Sequence, residues 1–307
     1  MYLQLHHTTI GYDRPLISDI TTSLDLGEVA LLIGNNGVGK TTLFKSILNQ
    51  IPILSGTITI NGKKTSTLSV KEIAQQIAMV FSKAPIPAHY TVTDLIAFGK
   101  YIHYPYYFEL SSKDKEEVQN IIQQLHLEEY QHHLLKNLSD GNLQKAFIGR
   151  AIAQNSPIVI LDEPTAHLDE ENKIMILKLL RNLAIQQNKL IIFSSHDWRL
   201  AKEFSDTIWL VKNQSIYAGI TEDILSQFDE LAKPQLFQFS EKFVAPTIKA
   251  PQFEAEILYS FLQKKYQKDL SSLNFEFKDN IWVITDGKNQ HFAQNFEEIN
   301  QIVVKNG

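Results

Sequence analysis

The stretch Gly34-Asn35-Asn36-Gly37-Val38-Gly39-Lys40-Thr41-Thr42 constrains this chain more than any other, because it matches the pattern G-x-x-x-x-G-K-[ST]. The uninterrupted apolar run from Val29 to Ile33 precedes it, which marks a strand buried on both faces, and a helix is expected from about Lys40. Strand, glycine-rich turn and helix in that order build a phosphate cradle. The turn aims backbone N–H groups at phosphate oxygens, and the helix N-terminus adds partial positive charge. Gly34, Asn35, Asn36, Gly37, Gly39 and Thr42 belong to that cradle. Lys40 is placed to pair with the β- and γ-phosphates, and the Thr41 hydroxyl to ligate Mg²⁺.

A cradle at the end of a buried strand demands an α/β fold. Continuous apolar runs recur at 77–81, 158–162 and 190–194. Between the last two, a helix is expected over about 170–186, with Ile174, Leu177, Leu180 and Leu183 at helical spacing. Such alternation predicts a mainly parallel sheet covered by helices. Residues 3–10 and 16–26 alternate instead, as an antiparallel hairpin does, around a turn at 11–15. Residues 91–154 show no strand and read as an inserted helical subdomain, with helices at 93–100, 112–125 and 141–154. Short strands at 207–211 and 215–217, ending at Gly219, close a first domain of residues 1–220. Residues 221–251 read as a linker, since 236–251 is rich in Phe, Lys and Pro without a period. Residues 252–307 read as a small α+β extension: a helix at 253–266, a hairpin of 273–277 and 281–285 turning at Lys278-Asp279-Asn280, and a helix at 296–304.

Two further segments carry chemistry to the sheet edge where ligands bind in open α/β folds. In Ile158-Val159-Ile160-Leu161-Asp162-Glu163, a buried strand delivers two carboxylates. Asp162 is expected to hold Mg²⁺ through water, and Glu163 to polarise an attacking water. Ser194-Ser195-His196 brings an imidazole to the same edge, where it could contact a γ-phosphate, although a lone histidine is more often a surface residue.

The order of these motifs resembles the ATP-binding subunit of ABC transporters over about residues 1–220. The resemblance rests on Tyr12 as the adenine-stacking aromatic, the Walker A loop at 34–42 and the signature Leu138-Ser139-Asp140-Gly141-Asn142. It continues in the Walker B strand ending at Asp162-Glu163, the D-loop Ala166-His167-Leu168-Asp169 and the switch His196. It implies a P-loop NTPase cassette using ATP and Mg²⁺, with Glu163 and His196 catalytic and Asp169 among the nucleotide-site residues. It also implies a head-to-tail homodimer, in which Ser139 and Gly141 of one copy cap the γ-phosphate held by Lys40 of the other. Hydrolysis would then drive membrane permease subunits between inward and outward states. Tyr12 also reads as a plain turn aromatic, and Ser139 as a plain helix N-cap.

The chain departs from the family pattern at three positions. Asp140 stands where Gly is usual and Asn142 where Gln or Glu is usual; both tolerate unusual backbone angles, so the turn is expected to survive. Ser82 stands where a Gln should follow Met79-Val80-Phe81. Its hydroxyl is too short to bridge Mg²⁺ and the helical subdomain, and is expected to act through a bridging water.

The distance from Walker A to signature leaves no room for the long coiled coil of DNA-repair members of the superfamily, and a net charge of −5 argues against wrapping nucleic acid. The chain contains no cysteine, which excludes disulfides and suits a reducing cytosol. It shows neither a signal peptide nor an apolar run long enough to span a bilayer, so a membrane role needs a partner. A single cassette without a fused span resembles the separate subunits of bacterial importers, peripheral on the inner face of the cell membrane and served indirectly by a substrate-binding protein. Leu95-Ile96-Ala97-Phe98-Gly99-Lys100-Tyr101, followed by Tyr104-Pro105-Tyr106, resembles subunits that energise uptake of iron-siderophore complexes, haem or cobalamin. The aromatic cluster at 101–108 either packs internally or docks the permease. An efflux cassette and a stand-alone non-transport ATPase are the rival readings. The tail holds no phosphate loop or metal-ligand cluster, and is expected to be a stabilising or dimer-contacting appendage rather than a sensor.

Overall fold

The computed structural model describes residues 1–82, 85–87, 89–104, 109–166, 168–195, 198–228, 242–266, 268–287 and 289–306. The chain divides into two compact units, Met1–Gln227 and Phe228–Gly307.

In the first unit, β1 (Leu3–Gly11) and β2 (Pro15–Leu24) form the expected hairpin. β4 (Ser55–Ile60) pairs with the other edge of β1, and β5 (Lys63–Lys64) completes an antiparallel sheet in the order β2-β1-β4-β5. A second sheet contains β3 (Val29–Ile33), β6 (Ile77–Val80), β7 (Ile158–Leu161), β8 (Leu190–Ser194), β9 (Thr207–Lys212) and β10 (Ser215–Ile220). Its order is β10-β9-β3-β8-β7-β6, parallel except for the β9–β10 hairpin. Every residue of β3, β6, β7 and β8 is buried, which is why these strands read as continuous apolar runs.

Helix α1 (Lys40–Ile47) is held in the core by both sheets. Its Leu43, Phe44 and Ile47 share one apolar cluster with Leu3 and Ile58 of the antiparallel sheet and with Leu32, Ile160 and Trp209 of the parallel one. Burying each such side chain contributes about 1.5–3 kcal/mol. The helix that follows the phosphate loop is therefore fixed by packing on two sides.

Capping boxes start α2 (Val70–Gln76), through Ser69 and Glu72, and α3 (Val92–Phe98), through Thr91 and Asp94. With α4 (Ser112–Gln124) and α5 (Asp140–Ala153), α3 makes up the helical block. Gln154, at the end of α5, donates to the carbonyls of Ala74 at 2.6 Å and Ile77 at 3.0 Å, and Arg150 donates to that of Met79 at 2.8 Å. These bonds tether the block to α2 and β6. The unit is completed by α6 (Glu170–Gln187), the short α7 (Trp198–Ala201) and α8 (Thr221–Gln227).

The second unit has a sheet of β11 (Thr247–Lys249), β12 (Leu273–Lys278), β13 (Ile281–Asp286) and β14 (Asn289–Ala293), with β11 parallel to β12 and the rest antiparallel. Asp279 and Asn280 both have left-handed φ, 48° and 61°, as a two-residue hairpin loop requires. Helices α9 (Gln252–Lys265) and α10 (Phe296–Asn306) close a separate core around Phe243, Leu262, Phe275, Trp282 and Ile299.

The structure differs from the expected boundaries at the junction. Thr221–Gln227 is a helix packed on β9 and β10, so the first unit runs past residue 220. Phe243 is 2% exposed and Thr247–Lys249 pairs with β12, so residues placed in the linker belong to the second core. Linker residues 229–241 lie outside the described residues. Among the described residues, no helix is long and apolar enough to cross a membrane.

Candidate functional site

Because β3, β8, β7 and β6 run parallel, the segments that follow them meet at one sheet edge. After β3 the backbone alternates in hand: Gly37 and Gly39 have φ of 78° and 109°, while Asn36 and Val38 are not among the positive-φ residues. Such alternation turns successive N–H groups toward one concavity suited to an anion. Gly39 is also the N-cap of α1, its carbonyl accepting from the Leu43 N–H at 2.8 Å. Lys40 is only 6% exposed, and its ammonium donates to the carbonyls of Gly34 at 2.7 Å and Asn35 at 3.1 Å. Burial pulls its pKa down, against the nearby charges of Glu163 and Asp162, which raise it. A desolvated cation held this way interacts strongly with any anion reaching the loop.

Asp162 is 2% exposed and has both carboxylate oxygens engaged. The Thr41 hydroxyl donates to Oδ2 and the Ser194 hydroxyl to Oδ1, each at 2.7 Å. The same Ser194 oxygen accepts the Glu163 N–H at 2.9 Å. Glu163 has a left-handed φ of 55°, uncommon for a residue with a side chain. Its carbonyl accepts the Ala166 N–H at 3.2 Å, closing a tight turn past β7. A hydroxyl and a carboxylate side by side form a hard-oxygen donor pair that fits Mg²⁺, which takes one or two protein ligands and fills its sphere with phosphate and water.

The signature and D-loop residues meet in a second place. Ser139 is the N-cap of α5 and accepts the Asn142 N–H at 3.3 Å. The helix thus starts at Asp140, one residue ahead of the start expected at Gly141. None of residues 140–142 has positive φ, so tolerance of unusual angles is not what lets Asp140 and Asn142 stand here. They are ordinary first-turn residues, with Asp140 favoured by the helix dipole. Ser139, Gly141, Lys145, Asp169 and Asn172 line one cleft. Asp169 caps α6, accepting the Asn172 backbone N–H and side-chain amide, both at 2.8 Å. Those bonds, with the charge of Lys145, hold its carboxyl below the usual range. Lys145 is itself 6% exposed, and burial lowers its pKa against Asp169 and Glu171.

The remaining candidates are spread out. Tyr12 is 59% exposed in the β1–β2 turn. Ser82 is exposed just past β6, and among the described residues no hydrogen bond joins its hydroxyl to Thr41 or Asp162. His196, and His167 of the D-loop, lie outside the described residues, as do Pro105, Tyr106, Tyr107 and Phe108 of the aromatic cluster. Tyr101 lines an apolar groove of about 570 Å³ with Leu68, Ile73, Phe81, Tyr90 and Phe98. Tyr104 instead hydrogen-bonds Asp114.

Sequence reasoning missed two site residues. Ser194 is the one hydroxyl in an otherwise apolar strand, a signal that a contact across strands was needed to interpret. Lys145 stands one helical turn after Gly141, on the face where the cleft opens.

Residues 17–166 match the family model for the ABC transporter. The chain is 34% identical over 230 residues to an uncharacterized ABC transporter ATP-binding protein of Methanocaldococcus jannaschii, covering 73% of this chain and 78% of that one. It is 32% identical over 225 residues to the iron(3+)-hydroxamate import ATP-binding protein FhuC of Bacillus subtilis, covering 71% and 84%. Among solved structures, a metal-chelate type ABC transporter in an inward-facing conformation superposes with a TM-score of 0.65 at 26% identity, covering 75% of this chain and 87% of that one.

Proposed function

Since the chain belongs to the ABC transporter family as an ATP-binding subunit and ATPase, we propose that it powers the import of an iron chelate of the siderophore class. The observation that carries the ATPase chemistry is the joined set Thr41–Asp162–Ser194–Glu163 beside the buried Lys40. The relatives named for iron(3+)-hydroxamate import and metal-chelate transport support the direction and the substrate class.

In this reading the loop at 34–42 cradles the phosphates, and Lys40 exchanges its two carbonyl partners for β- and γ-phosphate oxygens. Tyr12 offers its exposed ring to adenine. Thr41 and Asp162 would hold Mg²⁺, with Ser82 reaching it through water; the ion supplies neutralisation of phosphate charge. Glu163 orients and polarises the attacking water, and His196 contacts the γ-phosphate. Ser139 and Gly141 come from a second copy, as the family resemblance implies; the cleft they line contains neither Lys40 nor Asp162 of their own chain. Asp169 completes that cleft at the dimer seam. The groove at Tyr101 receives a permease segment, which places the subunit peripherally on the inner membrane face, with a substrate-binding protein on the other side.

The test is purification with its permease, followed by ATPase assays with candidate substrates. Stimulation by an iron(III)–siderophore complex is the expected result. Stimulation only by substrates offered from the cytoplasmic side marks an efflux cassette, and failure of any permease to copurify marks a stand-alone ATPase. A thiol crosslinker at Tyr101→Cys that never reaches the permease removes the docking assignment.

A further inference from the structure

Helix α9 presents two faces. One turns Leu258, Leu262 and Gln263 into the core of the second unit. On the other, Phe253 and Ile257 are 68% and 38% exposed, one turn apart. Ser260, Phe261 and Lys264 continue the stripe at spacings i+7, i+8 and i+11 from Phe253, so it runs straight along the helix. Together with Phe296 of α10, whose ring lies 5.2 Å from that of Phe261, they line a shallow aromatic groove. Phe261 and Phe296 also pack on the core of the second unit, while Phe253, Ile257 and Lys264 stand exposed along the groove, as at an interaction surface.

Its charges say what covers it. Glu256 and Lys264 lie on the groove four residues either side of Ser260, about 12 Å apart along the helix axis. Glu256 accepts a hydrogen bond from Gln252 at 3.0 Å within its own helix, and Lys264 is exposed. A second copy crossing antiparallel over Ser260 would bring each Glu256 beside the other copy's Lys264, and the two-fold axis would repeat the pair. The small Ser260 at the crossing point permits close approach of the two helices. A stripe complementary to its own two-fold image is what an isologous contact requires.

We propose that this face of α9 is a homodimer contact whose occupant is a second copy of this chain, formed without nucleotide and therefore independent of the ATP-driven pairing of cassettes. The chain has no cysteine, so Ser260→Cys introduces a single thiol. Under mild oxidation without ATP, Ser260→Cys is expected to give a disulfide-linked dimer, while Asn289→Cys, at an exposed position on β14, stays monomeric. In sedimentation equilibrium, Glu256→Lys should weaken self-association roughly tenfold, and adding Lys264→Glu should restore it. A Ser260→Cys chain that stays monomeric overturns the proposal. Protection of its thiol from alkylation would then show that another part of the chain covers the face, and rapid alkylation would show an open surface. Crosslinking that appears only with ATP also overturns it, since the contact would follow from cassette pairing. Cassette pairing itself is tested separately, by ATP trapping of Glu163→Gln.

Discussion

The two clusters that the proposed function assigns to the nucleotide site are built on opposite terms. Around Lys40 and Asp162 the charged groups are buried at 6% and 2% exposure, and their polar atoms are matched within the chain. Around Ser139 and Asp169 the oxygens sit at the exposed starts of α5 and α6, each occupied by capping its own helix. The first half is preorganised by the fold, so its groups need little reorganisation when phosphate arrives. The second half offers helix N-termini and an open cleft, which suits a site completed by another copy. Under the proposed function, the difference means that one chain holds Lys40, Thr41, Asp162 and Glu163 ready for hydrolysis, while commitment to hydrolysis awaits association with a second copy.

Four substitutions would break or sharpen this contrast. The largest effect is expected from Glu163→Gln in the buried half, which should slow ATP hydrolysis by about 10²–10⁴-fold while sparing ATP binding. Gel filtration with ATP should then show an accumulated dimer; hydrolysis at the wild-type rate would remove Glu163 from its role. Next is Ser194→Ala. It strips a partner from both the Asp162 carboxylate and the Glu163 N–H, and should cost about 1–3 kcal/mol in denaturant unfolding as well as lowering kcat. Ser194→Thr, which retains the hydroxyl, should recover kcat; if both variants match wild type, the bridge has no positioning role.

Ser139→Ala in the exposed half should cost about 1 kcal/mol through loss of the α5 cap. Its effect on hydrolysis should act across the dimer. Mixing it with a Lys40→Ala chain should therefore restore activity in heterodimers that contain one intact composite site, whereas neither parent hydrolyses ATP well. Absence of such complementation would mean that Ser139 serves only its own helix. The smallest effect is expected from Asn172→Ala. Folding lowers the Asp169 pKa, so the ionised carboxylate stabilises the fold above its unfolded value of about 3.8. That contribution is lost as pH falls through the lower folded value. Asn172→Ala removes the side-chain amide and keeps the backbone N–H, the larger cause, so the Asp169 pKa should rise only part of the way toward 3.8 and the loss should begin at slightly higher pH; an unchanged carboxyl titration by NMR would show that the side-chain amide is not a cause.

The sheet of the first unit was legible because β3, β6, β7 and β8 are buried on both faces and leave apolar runs that need no context. β4 carries a readable signal in the alternating Thr57-Ile58-Thr59-Ile60, missed among the expected strands. β5 was not legible, since Lys63–Lys64 is two charged residues whose strand state depends on pairing with β4. β14 escaped for the same reason, since Asn289, Gln290 and His291 become a strand only beside β13. The start of α5 was legible to within one residue; what the sequence left open is that Asp140 and Asn142, turn-like by composition, adopt helical angles behind the Ser139 cap.

By itself the sequence determined the chemistry of the phosphate loop, the carboxylates at the end of β7 and the parallel sheet that carries them. Those properties reside in contiguous residues and in backbone preferences that act locally. Only the tertiary structure decided that Ser194 would tie Asp162 to Glu163, that Lys145 would face Asp169, and that residues 242–249 would join the second core. Each of those depends on which strand or helix lies beside which: β8 follows the register Leu161↔Phe193 against β7, and that alignment brings the Ser194 hydroxyl next to Asp162. Hydrogen bonds between neighbouring strands are set by such register and by burial across the sheet, quantities that no single segment encodes.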